Sequence, residues 1–515
     1  MKLKGAIKMP VRAPTIEQLK QVAESLHMKL SESEIQSHHE IMAPNFDAYN
    51  ALDMVPDYLP EVKYPRTPGH EPQPEDNLLN AWVRKTSVVG ATDGILSGHK
   101  VVLKDNISLA GVPMTNGSST LNGYVPDIDA TVVARILDAG GEIVGKAHCE
   151  HFCLSGGSHT NSRVSVLNPH NPNYSSGGSS SGCGALVGSG EIKMAIGGDQ
   201  GGSVRIPASW SGCVGMKASW GLVPYTGIIS VESTIDYTGP ITDTVRNNAL
   251  LLTAIAGPDG LDARQYGADL KTDYRDHLDT GIKGKRIAVL TEGFGRENSE
   301  EDVDILVRQA IDALKAQGAE VVEVSIPGHV LGQSIWLAIA LEGLTAQMMT
   351  LNGVGTGWRG MYPTGLLDAH AAWRLRANDL SDSLKSCMLT GQYMLDEYHG
   401  RYYAKAQNLS RKLIEDYNSV LKDFDTIALP TIPMKATPLP KADADMALYV
   451  QRAFEMIGNT CQFDVTGHPA ISIPVGMSNG LPVGMMLVGA HNDEANLYQI
   501  ANAYESENSW REIRT

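Results

Sequence analysis

Two short runs of the chain set serine behind consecutive glycines: Gly177-Gly178-Ser179 and, after Gln200, Gly201-Gly202-Ser203. A serine hydroxyl becomes a nucleophile once a base takes its proton. Glycine, without a Cβ, lets successive backbone N–H groups converge on one point and lets a ligand approach the main chain closely. Such a cradle suits an oxyanion and a phosphate alike. Ten of the 26 positions from Gly177 to Gly202 are glycine, a density that a flexible linker would also show. Here the glycines are interrupted by apolar segments, Ala185 to Val187 and Ile192 to Ile196, for which a solvated linker has no use. They shape buried backbone instead.

The segment from Asn168 to Tyr225 resembles the amidase signature family, serine hydrolases built on a Ser-cisSer-Lys triad. In that family the two serines lie 24 residues apart, as Ser179 and Ser203 do (203 − 179 = 24). The family's lysine ends an upstream strand in a Lys-Asp-Asn context, and HKVVLKDNI supplies Lys104. The resemblance covers Asn80 to Gly260 and the closing segments FDVTGHPAISIPVG and GLPVGMMLVG. The forms GGDQGGS and GLVPYTG, with a helical N-terminal arm, are most similar to the enantioselective amidases that accompany nitrile hydratases. The resemblance implies one α/β domain of the amidase-signature fold, a mixed twisted β-sheet covered by helices on both faces (α/β/α). It also implies a homodimer, a small-molecule carboxamide as substrate, no cofactor, no metal, and a cis peptide bond between Gly178 and Ser179.

The same resemblance assigns roles. An amide is a poor electrophile, so attack by an alcohol needs a proton acceptor and stabilisation of the oxyanion that forms. Ser203 is expected to attack, with Ser179 bridging it to Lys104, which must be a neutral amine to accept the proton. Backbone N–H groups of Gln200, Gly201, Gly202 and Ser203 are expected to face the oxyanion. Cys153 and Leu154 should line the acyl pocket and Ile457 close it, while Asp199 and Arg205 hold the nucleophile loop. Taken singly, a serine in a Gly-rich loop is a turn residue and a lysine at a strand end is solvated; the three matched elements in order favour chemistry. The runner-up function uses the same core: one component of a tRNA-linked glutamine amidotransferase, releasing ammonia for a partner. Against it stand the long N-terminal arm and GGDQGGS in place of the commoner GTDTGGS.

These residues need a scaffold, and the hydrophobic pattern predicts one. Residues 1–78 read as a helical arm and a Pro-rich strap. TIEQLKQVAESLHM carries apolar residues at helical spacing behind Thr15, a second helix starts near Ser31 in a capping-box pattern, and Tyr64 to Asn77 holds too many prolines for helix or central strand. Residues 79–515 alternate strand and helix signals, as a helix-covered sheet requires. Strands are expected at HKVVLKDNI, EIVGKA, GKRIAVL, EVVEVSI, DTIALP, AISIPVG and PVGMMLVG, with a mostly helical cover over 327–423.

Other motifs weigh less. GGEIVGKA imitates a phosphate loop but has Ala147 where Mg²⁺ binding needs Ser or Thr. His148 and His151 of HCEH could place two imidazoles on one helical face, without an evident third ligand. His468 reads as a turn or packing residue. The six cysteines lack paired C-x-x-C spacing and read as free thiols. A formal charge of −16, with no long basic cluster, disfavours nucleic acid. No 18-residue apolar run suggests a membrane span, and MKLKGAIKMP lacks the features of a signal peptide, so a cytoplasmic enzyme is expected.

Overall fold

The computed structural model of the chain describes residues 11–265 and 272–515. The smaller of its two compact units, ending at Pro60, is built on helices Ile16–Ser25 and Glu32–Asp53. Both start in capping boxes: the Thr15 and Ser31 hydroxyls accept from the Gln18 and Glu34 N–H groups, whose side chains accept from the cap N–H groups in return. That satisfies donors which a helix start leaves open. Leu19, Ala23 and Ile35 form its small core.

The larger unit runs from Glu61 to Thr515 and therefore includes the strap. Specific side-chain contacts tie the strap in: Lys63 and Tyr64 reach Asp138, and Arg66 pairs with Asp129. The unit is organised by one 11-stranded sheet. Its strands are β1 (Trp82–Val89), β2 (Lys100–Lys104), β3 (Glu142–Ala147), β4 (Met194–Asp199), β5 (Val214–Lys217) and β6 (Tyr237–Thr242). The remainder are β7 (Arg286–Leu290), β8 (Glu320–Val324), β9 (Thr426–Pro430), β10 (Ala470–Ser478) and β11 (Leu481–Val488). The spatial order is β1-β3-β2-β4-β6-β5-β10-β11-β9-β7-β8. The pairs β2/β3, β2/β4, β7/β8 and β7/β9 are parallel and the rest antiparallel.

Central strands are buried on both faces, which is why Val101–Leu103 and Ile427–Leu429 are continuous apolar runs rather than alternating ones. One face packs against helices Thr131–Asp138, Val245–Ile255, Glu301–Ala316 and Glu494–Glu507. The other packs against Ser181–Gly188, Arg205–Ser211, Gly328–Leu344 and Arg401–Leu421. The result is the α/β/α arrangement expected from the sequence. Residues 327–423 are mostly helical, with Thr364–Ala371 and Asp382–Tyr398 completing the cover.

Candidate active site

Parallel neighbours β2 and β4 end side by side, β2 at Lys104 and β4 at Asp199, with Leu103 in register with Ile196. The carboxyl ends of strands in such sheets are where ligands bind. Lys104 is fully buried, and its Nζ donates to Ser179 Oγ at 2.7 Å and to the Gly198 carbonyl at 3.3 Å. Ser179 reaches this edge because helix Ser181–Gly188 runs away from it and β4 returns. An eight-residue helix is about 12 Å long, and the chain returns along β4 to Gly198, whose carbonyl accepts from the same Lys104 Nζ as Ser179 Oγ. Ser180 fastens the two legs, donating to the Gly198 carbonyl at 3.1 Å and accepting from its N–H at 3.2 Å. Gly197 makes room for it: a Cβ there would lie 2.8 Å from Ser180 Oγ. The bond from Gly178 to Ser179 is cis.

Past β4 the chain turns through Gln200 to Ser203, and its peptide groups are individually aimed. Trp336 Nε1 donates to the Gln200 carbonyl at 2.6 Å, and Thr460 Oγ1 to the Gly201 carbonyl at 2.6 Å. A trans peptide points its C=O and N–H in opposite directions. The Gly201 N–H therefore points away from Trp336, and the Gly202 N–H away from Thr460, toward Asp199 Oδ1 at 2.5 Å. Gly202 has φ +129°, and a Cβ there would strike Thr460 Oγ1 at 2.4 Å, so only glycine fits. The Gly202 amide, expected at the oxyanion, thus serves Asp199. The N–H groups of Gln200, Gly201 and Ser203 have no protein partner among the described residues.

Asp199 and Arg205, expected to hold this loop, do so with a third member that lies far off in sequence. Arg205 donates to Asp199 Oδ2 and Oδ1 at 3.0 Å each and to Asp464 Oδ2 at 2.8 Å, and all three side chains are fully buried. Burial opposes charge on Asp199, but the Arg205 guanidinium and the loop N–H groups outweigh it and hold the carboxyl well below the usual carboxylate range. Burial and the Asp199 charge push Asp464 well above its ordinary value. The two carboxyls that share this guanidinium are thus pushed in opposite directions.

In front of Ser203 lies a cavity lined by Gln200 and Gly201 from the loop and by Cys153, Leu154 and Ile457. Val231, Ile235, Trp336 and Phe454 belong to its apolar wall, and no acidic, basic or imidazole side chain lines it among the described residues. Ser203 itself is 6% exposed. A serine at the wall of an apolar cavity, with unpartnered N–H groups in its own loop, is a combination that acyl transfer can use.

Comparison with known proteins identifies the family. The Amidase family profile matches residues 74–498. The chain belongs to the amidase signature family. An enantioselective amidase of Rhodococcus rhodochrous is 41% identical over 471 residues, 90% of this chain and 90% of its own. A glutamyl-tRNA(Gln) amidotransferase component of Exiguobacterium sibiricum is 36% identical over 412 residues, covering 80% of this chain and 84% of that one. Among solved structures, the corresponding glutamyl-tRNA(Gln) amidotransferase component of Thermotoga maritima aligns with a TM-score of 0.71 at 31% identity, over 85% of this chain and 89% of that one. The native peptide amidase of Stenotrophomonas maltophilia aligns with a TM-score of 0.66 at 28% identity, over 81% and 84%. The protein is an amide-hydrolysing enzyme with the fold of this family.

The remaining motif residues are buried. Lys146 of the phosphate-loop look-alike ends up inside β3, buried, 3.4 Å from Asp105 and bonded to the Ile107 carbonyl. His148 and His151 are both buried, and among the described residues no cluster of three or more metal-ligating side chains forms. The acid of that motif has a role that the sequence pattern does not announce. Glu150 donates its N–H to the Ser179 carbonyl at 3.1 Å, while its carboxylate accepts from Ser181 Oγ at 2.9 Å and from Thr160 N and Oγ1 at 2.7 Å each. Burial pushes it up to about 7 despite these donors. Glu150 thus brackets the cis-serine turn on both sides. His468 is buried, between Thr466 Oγ1 at 2.9 Å and Asn418 Oδ1 at 3.1 Å. All six cysteines are free thiols. Among the described residues no helix is long and apolar enough to cross a membrane.

Proposed function

We propose that this amidase hydrolyses small, neutral, largely apolar carboxamides to carboxylate and ammonia through an acyl-enzyme on Ser203. Ser203 Oγ attacks the carbonyl carbon; its proton passes to Ser179 Oγ as the Ser179 proton passes to Lys104 Nζ. The oxyanion is met by the N–H groups of Gln200, Gly201 and Ser203, with the Gly202 amide occupied by Asp199. Collapse breaks the C–N bond, and the relay returns a proton to the departing nitrogen, which leaves as ammonia. Water then takes the place of the amine, the relay removes its proton, and the acyl ester is cleaved to the acid. Asp199, Arg205 and Asp464 keep the loop in this geometry without touching the reacting atoms.

The observation that carries the substrate class is the cavity wall. Its lining is apolar apart from hydroxyl, thiol and amide groups, and it presents no charged side chain among the described residues. Glutamine would bring an α-ammonium and an α-carboxylate into that space, and desolvating unpaired charges costs several kcal/mol. This favours the free-standing amidase over the glutamine-using amidotransferase component, although relatives of both kinds are similar to the chain. The test is ammonia release by the purified chain alone from propionamide, benzamide and glutamine. Release from the neutral amides with little or none from glutamine is expected; release from glutamine alone would overturn the reading.

A further inference from the structure

Gln200 brings the cavity more than a backbone amide. The residue is 4% exposed and lines the cavity beside Ser203, and its Nε2 donates to Tyr225 Oη at 2.9 Å. The Tyr225 hydroxyl has one proton to give and gives it to the Ile229 carbonyl at 3.3 Å. Its lone pair is what remains for Gln200, so the amide must present its NH₂ group there. Burial, with the Asp236 charge nearby, pushes Tyr225 well above its ordinary value, so the phenol keeps its proton. One orientation of the Gln200 amide follows, and in it Oε1 is buried with no hydrogen-bond donor.

A buried acceptor without a donor is unfavourable and uncommon. At the wall of a substrate cavity the missing donor is supplied by the substrate. The Gln200–Tyr225–Ile229 chain also has a definite side: the Ile229 N–H donates to the carbonyl of Asn106, two residues past Lys104, at 2.9 Å. On that side it is anchored to the segment that follows Lys104.

We propose that Gln200 Oε1 accepts an N–H of the carboxamide being cleaved, with Tyr225 as the residue that orients it, so that the enzyme selects carboxamides over esters of the same acid. This rests on the Ser203 acyl-enzyme reading. An ester oxygen carries no proton and would face Oε1 as a second acceptor. An N,N-dialkyl amide keeps the amide carbonyl and likewise lacks the donor.

The test compares kcat/KM for benzamide, N,N-dimethylbenzamide and methyl benzoate in wild type, Gln200→Leu and Tyr225→Phe. Leucine keeps the backbone and most of the side-chain volume. Gln200→Leu should lower the benzamide-to-methyl-benzoate ratio at least tenfold, and the ratio of N,N-dimethylbenzamide to the ester should stay within twofold of wild type. Tyr225→Phe, which leaves Gln200 in place but free to turn, should lower the first ratio about threefold. Equal losses on all three substrates would overturn the proposal. Should Gln200→Leu fail to fold, Tyr225→Phe decides alone, an unchanged ratio counting against it. Failure of the underlying reading has a separate signature, since amide and ester hydrolysis would then both survive Ser203→Ala.

Discussion

Two buried basic side chains flank the nucleophile loop, and they are partnered in opposite ways. Arg205 sits between two carboxyls, Asp199 and Asp464, whereas Lys104 has a hydroxyl and a carbonyl as its hydrogen-bond partners. A guanidinium held by carboxylates stays charged and serves as a fixed strut. An amine bonded to a serine hydroxyl can exchange a proton with it. On the proposed mechanism the difference gives rigidity to one side of Ser203 and proton transfer to the other, and each role can be broken separately.

The largest effect is expected where the two sides meet. Ser203→Ala should lower turnover by about 10⁴-fold or more with an unchanged circular-dichroism spectrum, because losing one hydroxyl at a cavity wall removes little packing. On the proton-transfer side, Lys104→Ala should cost about 10²–10⁴-fold in kcat. Lys104→Arg should do no better, since a guanidinium does not release its proton at working pH; recovery of most activity by arginine would make Lys104 a second strut.

On the rigid side the expected loss is of stability. Asp199→Asn leaves Arg205 without its charged partner and should destabilise by about 3–5 kcal/mol in denaturant unfolding. Asp464→Asn should cost only on the order of 1 kcal/mol, because Asp464 accepts a single hydrogen bond from Arg205 that an amide oxygen can keep. Similar losses from the two would break the distinction between them.

Glu150 sharpens the comparison from the pH side. Its carboxyl is raised from 4.5 to about 7 by burial, so folding favours the protonated form. Its contribution to stability is full below about 4.5 and is lost as pH rises through about 7. Glu150→Gln should flatten the fall in Tm over that window, measured by calorimetry against wild type. Smallest is the effect of trimming the cavity wall: Leu154→Ala should shift kcat/KM toward bulkier acyl groups by about tenfold, within the about 1–3 kcal/mol that apolar shape discrimination supplies.

The parts of this account legible in the sequence are those written locally. Lys104, Ser179 and Ser203 are marked by composition and spacing, and β2, β3 and β9 by short apolar runs. What the sequence hides is contact between distant residues. Asp464 lies 259 residues from Arg205 and Trp336 lies 136 from Gln200, with nothing in their neighbourhoods to mark them. Glu150 is easily passed over because the histidines beside it suggest a metal. Analogy along the loop assigns the Gly202 amide to the oxyanion, and only the opposed directions of C=O and N–H, fixed by Thr460, assign it to Asp199. Strand β1 escapes the apolar pattern because Arg84, Lys85 and Thr86 interrupt it with polar side chains.

The most direct test is to find where the acyl group goes. Cys153 lines the same cavity as Ser203 and is the rival nucleophile there. Wild type, Ser203→Ala and Cys153→Ala are mixed with p-nitrophenyl butyrate, quenched in acid and analysed by peptide mass spectrometry. A butyryl ester on Ser203 in wild type and Cys153→Ala, absent from Ser203→Ala, is the predicted result; a butyryl thioester on Cys153 that persists in Ser203→Ala would contradict it.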